Sequence, residues 1–117
     1  MEALRYRVVF HLDEDLDERV KLTLANIRNV VDELGALNVE IILVISGKAV
    51  NAFQNDSRHA EKVGDLKGRG ISFLACRRSL SRYGMNETDI LDQFTFTNSG
   101  VAELIKRQNE GWAYIRP

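Results

Sequence analysis

Val39 to Ile45 (Val-Glu-Ile-Ile-Leu-Val-Ile) is the segment that most limits how this chain can fold. A strand with one wet face alternates apolar and polar side chains. A run without alternation must be buried on both faces, as in the middle of a parallel sheet covered by helices. Its apolar core, Ile41 to Ile45, is five residues, far short of the ~20 that a membrane-spanning helix needs. Ser46-Gly47 ends it, and Lys48 to Phe53 reads as a short helix.

The flanking segments supply the layers such a strand requires. Arg5 to Leu12 is β-branched and aromatic and reads as the first strand. Leu16, Val20, Leu24, Ile27, Val31 and Leu34 then recur at steps of three and four, one continuous helical stripe. Asp15 is placed to cap that helix, Asp17 and Glu18 suit the positive end of its dipole, and Gly35 is placed to stop it. Beyond Asn55 to Arg58, a polar loop, Ala60 to Leu66 reads as a helix and Ile71 to Ala75 as the third strand, ending at Cys76. Ser79 to Tyr83 reads as helical, and Asn86 to Asp89 as a turn or helix start. Phe94 to Thr97 is a short strand, Val101 to Asn109 a helix with its apolar stripe at Val101, Leu104 and Ile105, and Trp112 to Ile115 the closing strand. Strand and helix alternate about five times with no linker and no internal repeat, which predicts one three-layer α/β/α domain over residues 1–117.

Composition removes several classes. Sixteen basic against seventeen acidic residues and a pI near 6.1 provide no global basic field for nucleic acid. One cysteine makes no intramolecular disulfide, and with two distant histidines it builds no zinc site. The acidic cluster Asp13, Glu14, Asp15, Asp17 and Glu18 lacks calcium-loop spacing and reads as a solvated helix start. No metal or cofactor is expected. Met1 to Arg7 has no apolar signal region, so a cytoplasmic chain with no membrane segment is expected.

Ligands of such sheets bind beyond the carboxyl ends of the strands, where loops meet helix N-termini. That rim holds His11 to Glu14, Ser46-Gly47-Lys48, Cys76-Arg77-Arg78 and Asn98-Ser99-Gly100. Cys76 has two readings. A helix start and the neighbouring Arg77, Arg78 and Arg82 both favour thiolate, the nucleophilic form. Alternatively, Cys76 ends a buried strand as a small hydrophobe. His11 lies at the same rim, and a Cys–His pair would be an activated nucleophile, although the first and third strands need not touch. A lone histidine at a strand end also serves as a hydrogen-bonded structural residue. His59, in a polar loop, reads as solvated.

Two glycine pairs carry no nucleotide motif. Gly47-Lys48 lacks the upstream glycine of a phosphate loop, where Ile42 stands, and is followed by Ala49. Gly68-Arg69-Gly70 precedes a strand where a dinucleotide fingerprint follows one. The Ser46-Gly47 amides still offer a place for phosphate or a sulfur oxyanion, and Lys67, Arg69, Arg77, Arg78 and Arg82 bias the Cys76 side positive.

Taken in order, these pieces resemble the DsrE/DsrF-like family. The resemblance rests on Arg7-Val8-Val9-Phe10-His11 running into an acidic helix start and on Ser46-Gly47 after the second strand. Ile71-Ser72-Phe73-Leu74-Ala75-Cys76 followed by Arg-Arg-Ser-Leu-Ser-Arg-Tyr-Gly-Met is the most telling piece. Ser99-Gly100-Val101, Arg107-Gln108 and Gly111-Trp112-Ala113-Tyr114-Ile115 complete it. The resemblance implies a YchN-like three-layer domain with a mostly parallel five-stranded sheet, assembled as a trimer or hexamer. It implies a cysteine, here Cys76, that carries persulfide sulfur between a donor and an acceptor protein, as in relays serving sulfur oxidation or tRNA thiolation.

One thiol suffices for that hand-off, whereas a dithiol reductase needs two. Three functions are compatible with the residues. The first is a sulfur-relay or sulfurtransferase-like protein acting through Cys76, its persulfide held by helix amides and Arg78. The second is a non-catalytic oligomeric module that binds a small anionic ligand or a protein at the rim. The third is a redox sensor forming an intersubunit disulfide. Large aromatics in the last third, Tyr83, Phe94, Phe96, Trp112 and Tyr114, serve either a core or an oligomer interface.

Overall fold

The buried run becomes β2 (Val39–Ile45), the middle strand of a five-stranded sheet. The computed structural model describes residues 6–117; Arg5, expected to open the first strand, and the residues before it lie outside the described residues. In chain order the elements are β1 (Tyr6–Leu12), α1 (Asp17–Leu34), β2, a 3-10 helix (Gly47–Phe53), α2 (Ala60–Gly68) and β3 (Ser72–Cys76). They continue with α3 (Arg77–Arg82), a second 3-10 turn (Glu87–Asp89), β4 (Phe94–Thr97), α4 (Gly100–Asn109) and β5 (Ala113–Ile115). The strand order is β4-β3-β2-β1-β5, and every pair is parallel.

The two faces of the sheet are covered unequally. On one, Val8, Phe10, Leu12, Ile41, Leu43, Ile45, Phe73 and Ala75 pack under α1, α2 and the 3-10 helix, with Val20, Ile27, Val50, Phe53 and Val63 buried against them. On the other, α4 is the helical cover, and its Leu104 packs with Val9, Ile42, Val44 and Trp112. The connections after β1, β2 and β3 thus run along one face, while α4 returns over the opposite one. A crevice opens where the two sets of helices diverge at the strand ends.

Four local expectations change. The cap of α1 is Leu16, because Arg19 and Val20 donate their amides to the Leu16 carbonyl; Asp15 stands one residue too early. Helix α3 starts at Arg77, two residues before the expected start, with Cys76 as its extended N-cap residue and no loop between strand and helix. In α4 only Leu104 of the expected stripe is buried; Val101 and Ile105, one turn apart, face outward at 60% and 55% exposure. His59 is buried, at 5% exposure. The polar loop folds back on itself, Ser57 Oγ donating to the Ala52 carbonyl and receiving the His59 amide. The imidazole is thereby tucked beside Phe53, 3.3 Å from Asp17.

That burial has a pH signature. Burial lowers the His59 pKa below its ordinary 6.5 and outweighs the raising effect of Asp17; His11 is lowered for the same reason, against Asp13. A histidine whose folded pKa is depressed binds more protons when unfolded, so stability falls as pH drops through and below the unfolded value. The urea midpoint is therefore expected to decrease between roughly pH 7 and pH 5, and His59→Gln should flatten that slope.

Three residues of the acidic cluster at the start of α1 are paired with cations: Asp13 with Arg116, Glu14 with Arg19, and Asp17 with Lys21 and Arg58. Among the described residues, no helix is long and apolar enough to cross a membrane.

Candidate functional site at the carboxyl ends of the strands

Side-chain parity puts Cys76 on the α4 side of the sheet. Phe73 and Ala75 point into the larger core, so Leu74 and Cys76 point the other way. The β2–β3 register pairs Ile45 with Ala75, so the next residues along, Ser46 and Cys76, stand side by side. His11 pairs with Val44 in the β1–β2 register, one row behind Ser46.

Gly100, the first residue of α4, closes over this row. A Cβ there would lie 3.3 Å from Cys76 Cβ, 3.3 Å from Ser46 Cβ and 3.4 Å from Val44 Cγ1. Its missing side chain is what lets the helix start approach the two side chains so closely. Gly47 is required for a different reason: its φ is +56°, and a Cβ would meet the Asp13 carbonyl at 3.2 Å.

Cys76 lies at the floor of an open cleft of about 270 Å³, lined among others by Ser46, Gly47, Arg78, Ser79, Arg82 and Ser99. Burial pushes the thiol pKa up. Its side chain makes no capping bond in α3, but the Ser79 hydroxyl and the amides of Gly100, Ser79 and Arg78 around the sulfur favour the thiolate and outweigh burial, so the thiol ends below its ordinary value. Ser79 Oγ also accepts the Gly47 amide at 2.7 Å. This hydroxyl ties the start of the loop after β2 to α3, beside the sulfur at the end of β3.

Most of the expected rim residues converge here, in different roles. Arg78, Ser46, Gly47, Ser99 and Gly100 line the cleft with Cys76. The Ser99 hydroxyl caps α4 by accepting the Ala102 amide. Arg77 turns away: its guanidinium donates to Glu87 at 2.7 Å and Asn98 at 3.1 Å, over the Phe96 ring. His11 makes no direct pair with Cys76, since β2 separates their strands. Its Nε2 lies 2.9 Å from Ser46 Oγ and its Nδ1 3.0 Å from the Tyr114 hydroxyl of β5.

Ser79 and Tyr114 were not singled out from the sequence as site residues. Ser79 carried a usable signal, three residues after a strand-end cysteine that opens a helix, the spacing at which a cap residue meets the third helical position. Tyr114 carried none, because its partner is 103 residues away in sequence.

With this geometry in place, the sequence profile of the DsrE/DsrF-like family matches residues 8–117. The chain belongs to the DsrE/DsrF-like family. It is similar to the structure of MTH1491 from Methanobacterium thermoautotrophicum, a protein of unknown function, at 43% identity and a TM-score of 0.91, covering 96% of this chain and 99% of that one. Two more distant structures share the fold. BT1422 from Bacteroides thetaiotaomicron has 15% identity and a TM-score of 0.78, covering 95% and 94% of the two chains. The ychN protein from E. coli has 12% identity and a TM-score of 0.77, covering 97% and 99%. No match to the chain is found among curated proteins. The expected YchN-like α/β fold thus holds for this DsrE/DsrF-like chain, with all five strands parallel.

Proposed function

We propose that this DsrE/DsrF-like chain, as one domain over residues 1–117, is a sulfur carrier that holds a persulfide on Cys76 and transfers it to an acceptor thiol. The observation that supports this most is the set of donors around the sulfur. The Ser79 hydroxyl and the amides of Gly100, Ser79 and Arg78 surround one cysteine in an open cleft and favour its thiolate over the thiol. Such donors stabilise a thiolate and equally an anionic persulfide. Loading needs only one thiol: the Cys76 sulfur attacks the outer sulfur of a donor persulfide, and the donor departs as thiolate. A reduced cytoplasmic setting, separate donor and acceptor proteins, and assembly as a trimer or hexamer belong to the same proposal.

Incubation with a small-molecule or protein persulfide donor is expected to add one sulfur atom to the intact mass, and Cys76→Ser to abolish the gain. Absence of any gain, under conditions where Cys76 alkylates readily, overturns the proposal. Arg78 and Arg82 favour a second reading, since both are exposed and line the cleft. A binding module for a small anion would keep its affinity in Cys76→Ser and lose it in Arg78→Ala with Arg82→Ala.

A further inference from the structure

Three side chains from three strands make a connected path into the cleft. Tyr114 of β5, His11 of β1 and Ser46 at the end of β2 are joined by contacts of 3.0 and 2.9 Å. Ser46 stands at the N-cap position of a 3-10 helix, yet its hydroxyl makes no capping bond. It is turned to His11. The imidazole is 8% exposed, with both ring nitrogens engaged. On one side it reaches, through Ser46, the cleft that holds Cys76. On the other it lines a separate polar cleft of about 310 Å³ with Asp13, Glu14, Arg19 and Arg116. A buried imidazole between two clefts, with hydroxyls on both nitrogens, is arranged to pass a proton from one to the other.

We propose that His11, acting through Ser46, is the base that takes the proton of the acceptor thiol when sulfur leaves Cys76; this rests on the sulfur-carrier reading above. The acceptor A–SH enters the cleft beside Ser46. Its sulfur attacks the outer sulfur of the Cys76 persulfide in its protonated form, Cys76–S–SH, whose proton is taken up from solvent before attack, so a new S–S bond forms in A–S–SH while the S–S bond to Cys76 breaks. The electron pair of the broken bond goes to the Cys76 sulfur. The acceptor's proton passes to Ser46 Oγ as the Ser46 hydroxyl proton moves to His11 Nε2. Sulfur is exchanged with no net oxidation, and the products are A–S–SH, Cys76 thiolate and protonated His11. The imidazolium then discharges toward the Asp13–Arg116 cleft.

The two halves of the site complement each other. A thiolate favoured by surrounding hydroxyl and amide donors is a good leaving group and a weakened attacker, so its discharge favours a base working on the incoming thiol. Burial keeps His11 below its ordinary pKa, hence neutral and ready to accept a proton near pH 7. The charged groups on its outer side are paired with each other, Asp13 with Arg116 and Glu14 with Arg19. Those on its inner side, Arg78 and Arg82, lie across the cleft beyond Ser46.

The test is single-turnover discharge. Protein loaded with persulfide sulfur is freed of donor and mixed with excess 2-mercaptoethanol, and loss of the extra sulfur is followed by intact mass across pH. In the wild type the rate should reach its plateau by about neutral pH. His11→Gln and Ser46→Ala should each be slowed about 10-fold or more at pH 7. Both should instead follow ionisation of the free thiol and converge on wild type at high pH, where no base is needed. A general loss of structure would not produce that convergence, and two variants on different strands guard against one that misfolds. Rates and pH profiles indistinguishable from wild type in both variants would overturn the relay and leave the carrier intact. A wild type that never takes up sulfur overturns carrier and relay together.

Discussion

Ser79→Ala is expected to shift the pH profile of Cys76 alkylation upward and to slow the reaction at pH 7 by roughly 3- to 10-fold. The hydroxyl is the first of the donors that hold the thiol below its ordinary pKa against burial. A hydrogen bond to a charged group is worth about 1.5–3 kcal/mol, so its loss raises the thiol pKa. The thiolate fraction at pH 7 then falls, and the greater intrinsic nucleophilicity of a more basic thiolate recovers part of that loss. Alkylation rates with iodoacetamide from pH 6 to 10 measure both effects. The same substitution removes the acceptor of the Gly47 amide, which sits 2.7 Å from Ser79 Oγ. A stability loss of about 1–3 kcal/mol should accompany the kinetic change. An unshifted profile would mean that the amides of Gly100, Ser79 and Arg78 control the sulfur without the hydroxyl.

The second large effect is structural. Phe94 of β4 packs its ring 5.2 Å from Phe53 and 5.2 Å from Phe73, at tilted angles. The three rings tie an outer strand to the 3-10 helix and to β3 in the larger core. Phe94→Ala leaves a cavity under two rings that cannot close it, at a cost of about 3–5 kcal/mol. For a chain of this size that lowers Tm by roughly 10–20 °C. Thermal unfolding followed by circular dichroism checks it. A loss below about 1 kcal/mol would show that β4 and its flanking turn collapse into the space.

Much of the fold was legible in local pattern. The run Val39–Ile45 announced a doubly buried strand, and it became the middle one. The stripe from Val20 to Val31 is the buried face of α1, and Phe94–Thr97 begins and ends where its composition places it. Local pattern failed where a distant partner decided the outcome. His59 sits in a polar stretch, yet the loop folds it against Phe53 and Asp17, which lies on another element. Val101 and Ile105 have the spacing of a core stripe, but α4 meets the sheet through Leu104 and leaves them outside. Arg77 is adjacent to Cys76 in sequence and engaged with Glu87 in space.

The sequence by itself determined the class of sheet, the strand ends that hold the candidate site and the one sulfur among them. These follow from periodicity, turn residues and composition, which are properties of neighbours along the chain. Only the tertiary structure decided which groups touch that sulfur. Parallel registers set Cys76 beside Ser46, the missing side chain of Gly100 let α4 close over both, and Ser79, within the first turn of α3, came to accept the Gly47 amide next to Ser46. The strand order, with β2 between β1 and β3, keeps His11 from Cys76 and places it against Ser46 instead. Hydrogen-bond partners at a strand-end rim come from several crossovers at once, and no pattern along one segment carries that information.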